Sequence, residues 1–196
     1  MGQSTRFQAD SGLECYDSVH KRIMIVDDEP SILKSLKRSL AQCDYQIDCF
    51  CDPDQALVSA NHNAYDLVIS DQRMPRMNGT ELLTRLKCLQ PECVTILLTG
   101  HSDSSTLMDA INKAHVYRFL TKPWNDEELI QLIADAICYG EEQTATQRLA
   151  DKARVNNGSM TRHRAYMREL EAKYPGITRV ERDENGAIIL NKYKQP

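Results

Sequence analysis

Between residues 21 and 140, a short apolar run stops five times at polar or turn-forming residues and gives way to apolar residues at helical spacing. Residues 23–26 (I-M-I-V) are the first such run; they end in Asp27-Asp28-Glu29-Pro30, after which Ile32, Leu33, Leu36 and Leu40 follow every three or four positions. A brief, continuously apolar run is what a strand buried on both faces requires, and Pro30 suits the first turn of a helix. Residues 46–50 make a second strand, weakened by Asp48, before Asp52-Pro53 opens a helix with Ala56, Leu57 and Ala60. Residues 67–69 and 94–98 are the third and fourth runs, followed by helices over 80–89 and about 106–114, the latter with N-cap candidates at 102–105. A fifth strand at 116–120 precedes a helix capped by Asn125 and carrying Leu129, Ile130, Leu132, Ile133, Ala136 and Ile137. Strand and helix alternating with short connections predict a doubly wound α/β domain over residues 21–140, built on a parallel sheet.

In a parallel sheet the carboxyl ends of all strands lie on one edge, where ligand crevices form. The sequence places Asp27 and Asp28 there from the first strand, Asp71 from the third, Thr99 from the fourth and Lys122 from the fifth. Asp71 opens the stretch S-D-Q-R-M-P-R-M-N-G, in which Pro75 and Asn78-Gly79 stop the strand from running on. Its carboxylate is therefore expected at a strand tip, aimed at solvent. Taken singly, these residues have ordinary readings: helix cap, turn former, strand-end hydroxyl, solvated lysine. Taken together, three converging carboxylates demand a cation, and magnesium suits a set of hard oxygen ligands. A carboxylate nucleophile, a divalent cation, an ammonium and a hydroxyl are the parts that phosphoryl transfer to aspartate needs.

The net charge is −4, but residues 141–196 carry 11 Lys+Arg against 8 Asp+Glu, leaving 13 against 20 in residues 1–140. An acidic body argues against bulk nucleic-acid or anionic-membrane binding, and the mildly basic tail suggests a segment with a different task. Seven cysteines include no C-x-x-C pair and no zinc spacing, so reduced thiols in the cytoplasm are expected. No apolar run reaches membrane-spanning length. Residues 1–20 read as a flexible leader, 141–158 as a helical or flexible linker, and 159–196 as a helix plus a β-hairpin, too small to bury a core alone. Arg162, Arg164 and Arg168 cluster on that helix.

Four motifs in order and spacing, V-D-D-E-P, D-Q-R-M-P-R-M-N-G, L-L-T-G and F-L-T-K-P-W, are similar to those of receiver domains of two-component response regulators. The resemblance covers residues 21–140 and implies a flavodoxin-like (βα)5 fold, to which residues 159–196 add a small α+β appendage. It implies that Asp71 accepts a phosphoryl group from a sensor histidine kinase or a histidine phosphotransfer protein. Asp27, Asp28, Asp71 and the backbone carbonyl of Arg73 would hold Mg²⁺. Lys122 would contact the phosphoryl group, Thr99 would serve as switch hydroxyl and Phe119 as switch aromatic, and the Lys122–Pro123 bond would be cis. Self-phosphorylation and self-dephosphorylation are the only chemistry expected, with control of a partner or a homodimer through the fourth helix, fifth strand and fifth helix. Arg73 and His101 flank the path of an attacking water, where they would tune the phosphoryl lifetime. The wording of the motifs resembles receivers attached to HD-GYP phosphodiesterase domains, although neither a His-Asp dipeptide nor a G-Y-P triplet occurs.

Two alternatives belong to other classes. A haloacid-dehalogenase-like phosphatase uses a similar residue set, but with its nucleophile in D-x-D on the first strand, where this chain has adjacent aspartates. A DNA-binding transcriptional regulator would use the basic tail, which contains no helix-turn-helix pair.

Overall fold

The computed structural model describes residues 21–100 and 115–175. Five parallel strands, β1 (Lys21–Val26), β2 (Tyr45–Phe50), β3 (Leu67–Asp71), β4 (Val94–Thr99) and β5 (Arg118–Thr121), lie in the order β2-β1-β3-β4-β5. The chain steps from β1 to β2 on one side, then returns to place β3 on the other. The direction of winding therefore reverses between β1 and β3, the position where an open α/β sheet leaves a crevice at its carboxyl edge.

Alternation along β1 sorts the core into two layers, because successive strand side chains face opposite ways. Ile23 and Ile25 pack with Leu33 and Leu36 of α1 (Pro30–Ser39), with Leu40 at its C-cap, and with Leu129, Ile133 and Ala136 of α4 (Asp126–Asn156). Met24 and Val26 face Ala56 and Ala60 of α2 (Pro53–Ala60) and Leu82, Leu83 and Leu86 of α3 (Gly79–Leu89). Helix starts follow the sequence signals: prolines open α1 and α2, and Asp52, Asn78 and Asn125 each accept a backbone N–H at the head of α2, α3 and α4. The expected helix at 106–114, His101, the leader and the 177–190 hairpin lie outside the described residues.

Past the sheet, α4 continues through Gly140 to Asn156, making the 141–156 linker helical. A Cβ at Gly140 would stand 2.8 Å from Val94 Cγ2, so the missing side chain lets α4 lie close on β4 instead of ending the helix. A salt bridge from Lys21 to Glu141 (2.8 Å) ties the same stretch to β1. Beyond a turn with Gly158 in the left-handed region (φ 75°), α5 (Arg162–Lys173) folds back on α4.

Candidate functional site

Strand register builds the site step by step. Val26 pairs with Ser70, so Asp27 and Asp71 stand side by side at the ends of β1 and β3. Asp71 pairs with Leu98, which puts Thr99 one residue further along β4; Thr99 pairs with Thr121, which puts Lys122 one further along β5. Backbone bonds extend this staircase past the strand ends, from Gln72 N–H to the Leu98 carbonyl (2.9 Å) and from Lys122 N–H to the Thr99 carbonyl (2.7 Å). The Lys122–Pro123 bond is cis.

Lys122 crosses the sheet edge to meet both acids. Its Nζ lies 2.7 Å from Asp27 Oδ2 and 2.6 Å from Asp71 Oδ1. The other Asp27 oxygen accepts the Glu29 N–H at 2.9 Å, and the other Asp71 oxygen accepts the Arg73 N–H at 2.6 Å. Asp71 is therefore a turn former and a charge partner at once. The expected solvent-facing carboxylate is not what forms: the Asp71 side chain is 9% exposed, because Lys122 and the 72–78 loop fold over it. Thr99 is buried at the end of β4, Asp28 is half-buried, and Phe119 is 45% exposed on β5. The Arg73 side chain is exposed; the backbone N–H of this residue, not singled out in the sequence, is what grips Asp71.

Gly79 also gains a role that turn chemistry did not reveal. A Cβ there would lie 2.1 Å from the Asp71 carbonyl oxygen and 2.8 Å from Leu97 Cδ1, so only glycine lets α3 start against the strand that carries Asp71. Met74 and Met77 are buried beneath the loop and fix it to the core. The M-P-x-M-x-G spacing carried this signal: two apolar anchors bracketing a proline, then a residue without a side chain.

Burial pushes the Asp27 carboxyl above its usual range, and the hydrogen bond from Lys122 offsets only part of that. Burial also opposes the charge on Lys122, but its bonds to Asp27 and Asp71 prevail and raise its pKa. Both shifts favour additional positive charge: one ammonium serves Asp27 and Asp71, with Asp28 alongside. The oxygen donors of Asp27, Asp28, Asp71 and the Arg73 carbonyl match the hard-ligand chemistry of magnesium. Among the described residues, no three acidic, His or Cys side chains are already drawn into a metal cage. The chemistry of the donors and their surplus negative charge fit the ion; the cage itself is not preassembled.

Residues 23–134 match the response regulator receiver domain family, and the chain belongs to it. It is 27% identical over 141 residues to the hydrogenase transcriptional regulatory protein HoxA of Bradyrhizobium diazoefficiens, covering 72% of this chain but 29% of HoxA. It is also 27% identical to the response regulator protein TodT of Pseudomonas putida, over 80% of this chain and 69% of TodT. Among solved structures, the signal receiver domain of an HD domain-containing protein from Pseudomonas fluorescens Pf-5 superposes with a TM-score of 0.63 at 33% identity, covering 66% of this chain and 96% of that one. The chain thus spans less than a third of HoxA. It is a receiver of the phosphorelay response regulator type, with a flavodoxin-like parallel sheet, and receivers of this type generally use Mg²⁺. The dehalogenase alternative falls with this membership. No helix among the described residues is long and apolar enough to cross a membrane.

Proposed function

We propose that the chain takes a phosphoryl group onto Asp71 from a phosphohistidine of a sensor kinase or phosphotransfer protein. An Asp71 carboxylate oxygen attacks phosphorus, the P–N bond breaks, and the departing imidazole nitrogen recovers a proton. The observation that carries this reading is the Lys122 ammonium shared by Asp27 and Asp71, which puts a cation beside the attacking oxygen. Lys122 neutralises charge on the transferred group, and the Arg73 N–H orients the acceptor carboxylate. Bound by Asp27, Asp28, Asp71 and the Arg73 carbonyl, Mg²⁺ would supply the remaining positive charge.

Phosphorylation replaces a monoanion by a dianion next to Thr99, whose hydroxyl then turns toward it. Phe119, exposed on the strand that leads to Lys122, fills the space so opened. The surface around β5 and the first turns of α4 changes with it, and a dimer or partner reads that change. Of the three tail arginines on which a DNA-binding reading leans, Arg168 is already paired with Asp151 at 3.0 Å, which weighs against that reading. The test is incubation with acetyl phosphate and Mg²⁺, followed by intact mass. The wild type should gain one phosphoryl group and Asp71→Asn none; equal gain in both would refute the assignment.

A further inference from the structure

The sheet edge opposite Asp71 carries an open hollow of about 530 Å³, lined among the described residues by Lys87, Thr95, His115, Tyr117, Tyr139 and two valines. β4 runs from Val94 at this cavity to Thr99 at the other edge, a separation of roughly 16 Å at strand rise. Tyr117 and Tyr139 stack with centroids 4.6 Å apart and planes inclined by 30°. Gly140 seats Tyr139 over this wall by letting α4 approach Val94. His115 holds a left-handed backbone (φ 50°), uncommon for a residue with a side chain, and its carbonyl accepts the Thr95 hydroxyl at 3.5 Å.

Among the described residues, Lys87 is the lysine or arginine that lines the cavity. Lys87, at the end of α3, donates to the Pro91 carbonyl at 3.2 Å, and among the described residues no carboxylate lies within ion-pair distance of it. Arg118 stands 5.7 Å from the Tyr117 ring centroid. Among the described residues the lining holds no acidic side chain, and Asp66, whose carbonyl accepts the Val94 N–H at 3.0 Å, is paired with Lys21. We propose that this cavity binds a small organic anion, its planar body against the Tyr117–Tyr139 pair and its charged head on Lys87. Burial alone pulls the Lys87 pKa down, and the nearby Cys93 thiol, itself pushed up to about 12 by burial, is neutral and offers no counter-charge. A ligand anion supplies what the protein omits, and the volume suits a small molecule. The site is separate from the phospho-acceptor and does not depend on that assignment.

Benzoate and phenyl phosphate, titrated into the full chain by calorimetry, test it. Using Asp71→Asn without magnesium keeps the phosphate probe from the other edge. Saturable binding of at least one probe is expected, and comparing the two tells whether the head is carboxylate or phosphate. Lys87→Met, which keeps the apolar stem, should weaken binding by about tenfold or more, the loss of one charged hydrogen bond. Lys87→Arg should restore most of it, and cyclohexanecarboxylate should bind less well than benzoate. Should Lys87→Met not fold, Lys87→Gln takes its place. Absence of saturation by both probes, undiminished binding in the Lys87 variant, or equal affinity for the non-planar acid would overturn the proposal.

Discussion

Among the described residues, two buried carboxylate sites balance their charge in opposite ways. At the sheet edge, Asp27 and Asp71 share one ammonium. In the helical tail, the single carboxylate of Asp151, 8% exposed, receives Arg168 at 3.0 Å, Arg154 at 3.3 Å and the Gln147 amide at 3.0 Å. The first site is short of positive charge and so is built to recruit it; the second is fully served and pins α5 onto α4. Burial of an acid is therefore not by itself a mark of reactivity. What separates the two is whether the surrounding cations outnumber the anions.

The sharpest way to break this comparison is at Lys122. Lys122→Met strands a fully buried Asp27 carboxylate, and should cost about 3 kcal/mol at neutral pH in magnesium-free buffer, the lower part of the range for a broken buried pair because Lys122 is 21% exposed. The pH profile separates the partners. The raised Lys122 pKa gives the wild type stability that is complete below 10.5 and lost as pH climbs through the folded value. The raised Asp27 pKa means that the folded protein keeps a proton the unfolded chain has already released above 3.8, so its ionisation costs stability as pH rises. Urea denaturation should find Lys122→Met recovering stability toward acid and lacking the wild-type loss above pH 10.5. A flat difference between the two proteins across pH would contradict the shared-cation account.

Gly79→Ala comes next. Its methyl group would enter the space of the Asp71 carbonyl at 2.1 Å, and overpacking against backbone should cost about 3 kcal/mol and slow phosphorylation together. Thermal melting and intact mass after acetyl phosphate check both effects; a stable variant phosphorylated at the wild-type rate would show that α3 can shift freely.

The smallest effect is expected in the tail. In Asp151→Asn the exposed guanidinium groups of Arg154 and Arg168 return to water, so the loss should be about 1 kcal/mol or less. Hydrogen exchange should rise in α5 while phosphorylation is unchanged. A matching loss of phosphorylation would mean that the two sites are coupled.

Much of the functional edge is legible in the sequence. Strand ends are marked by chemistry: an apolar run halted by Asp-Asp, Asp, Thr or Thr-Lys-Pro names both the strand and the group at its tip, and parallel pairing collects the tips. What the sequence hid depends on distances between segments far apart in the chain. Nothing local says that Gly79 faces the Asp71 carbonyl, or that Gly140 permits close packing on Val94 rather than stopping a helix. The burial of Asp71 was missed for the same reason, since a lysine 51 positions later closes over it. Strand β5 begins at Arg118, two residues later than its apolar pattern suggested, although the Tyr117 N–H already bonds the Thr95 carbonyl of β4 at 2.9 Å.

The account stands on one oxygen, and borohydride trapping reaches it directly. Reduction of the phosphorylated protein converts an aspartyl phosphate to homoserine, and peptide mass spectrometry reads the position. Homoserine at residue 71 alone, and none when acetyl phosphate is omitted, is the predicted result. Homoserine at Asp27 or Asp28, or at no residue after a phosphoryl group has been gained, would contradict it.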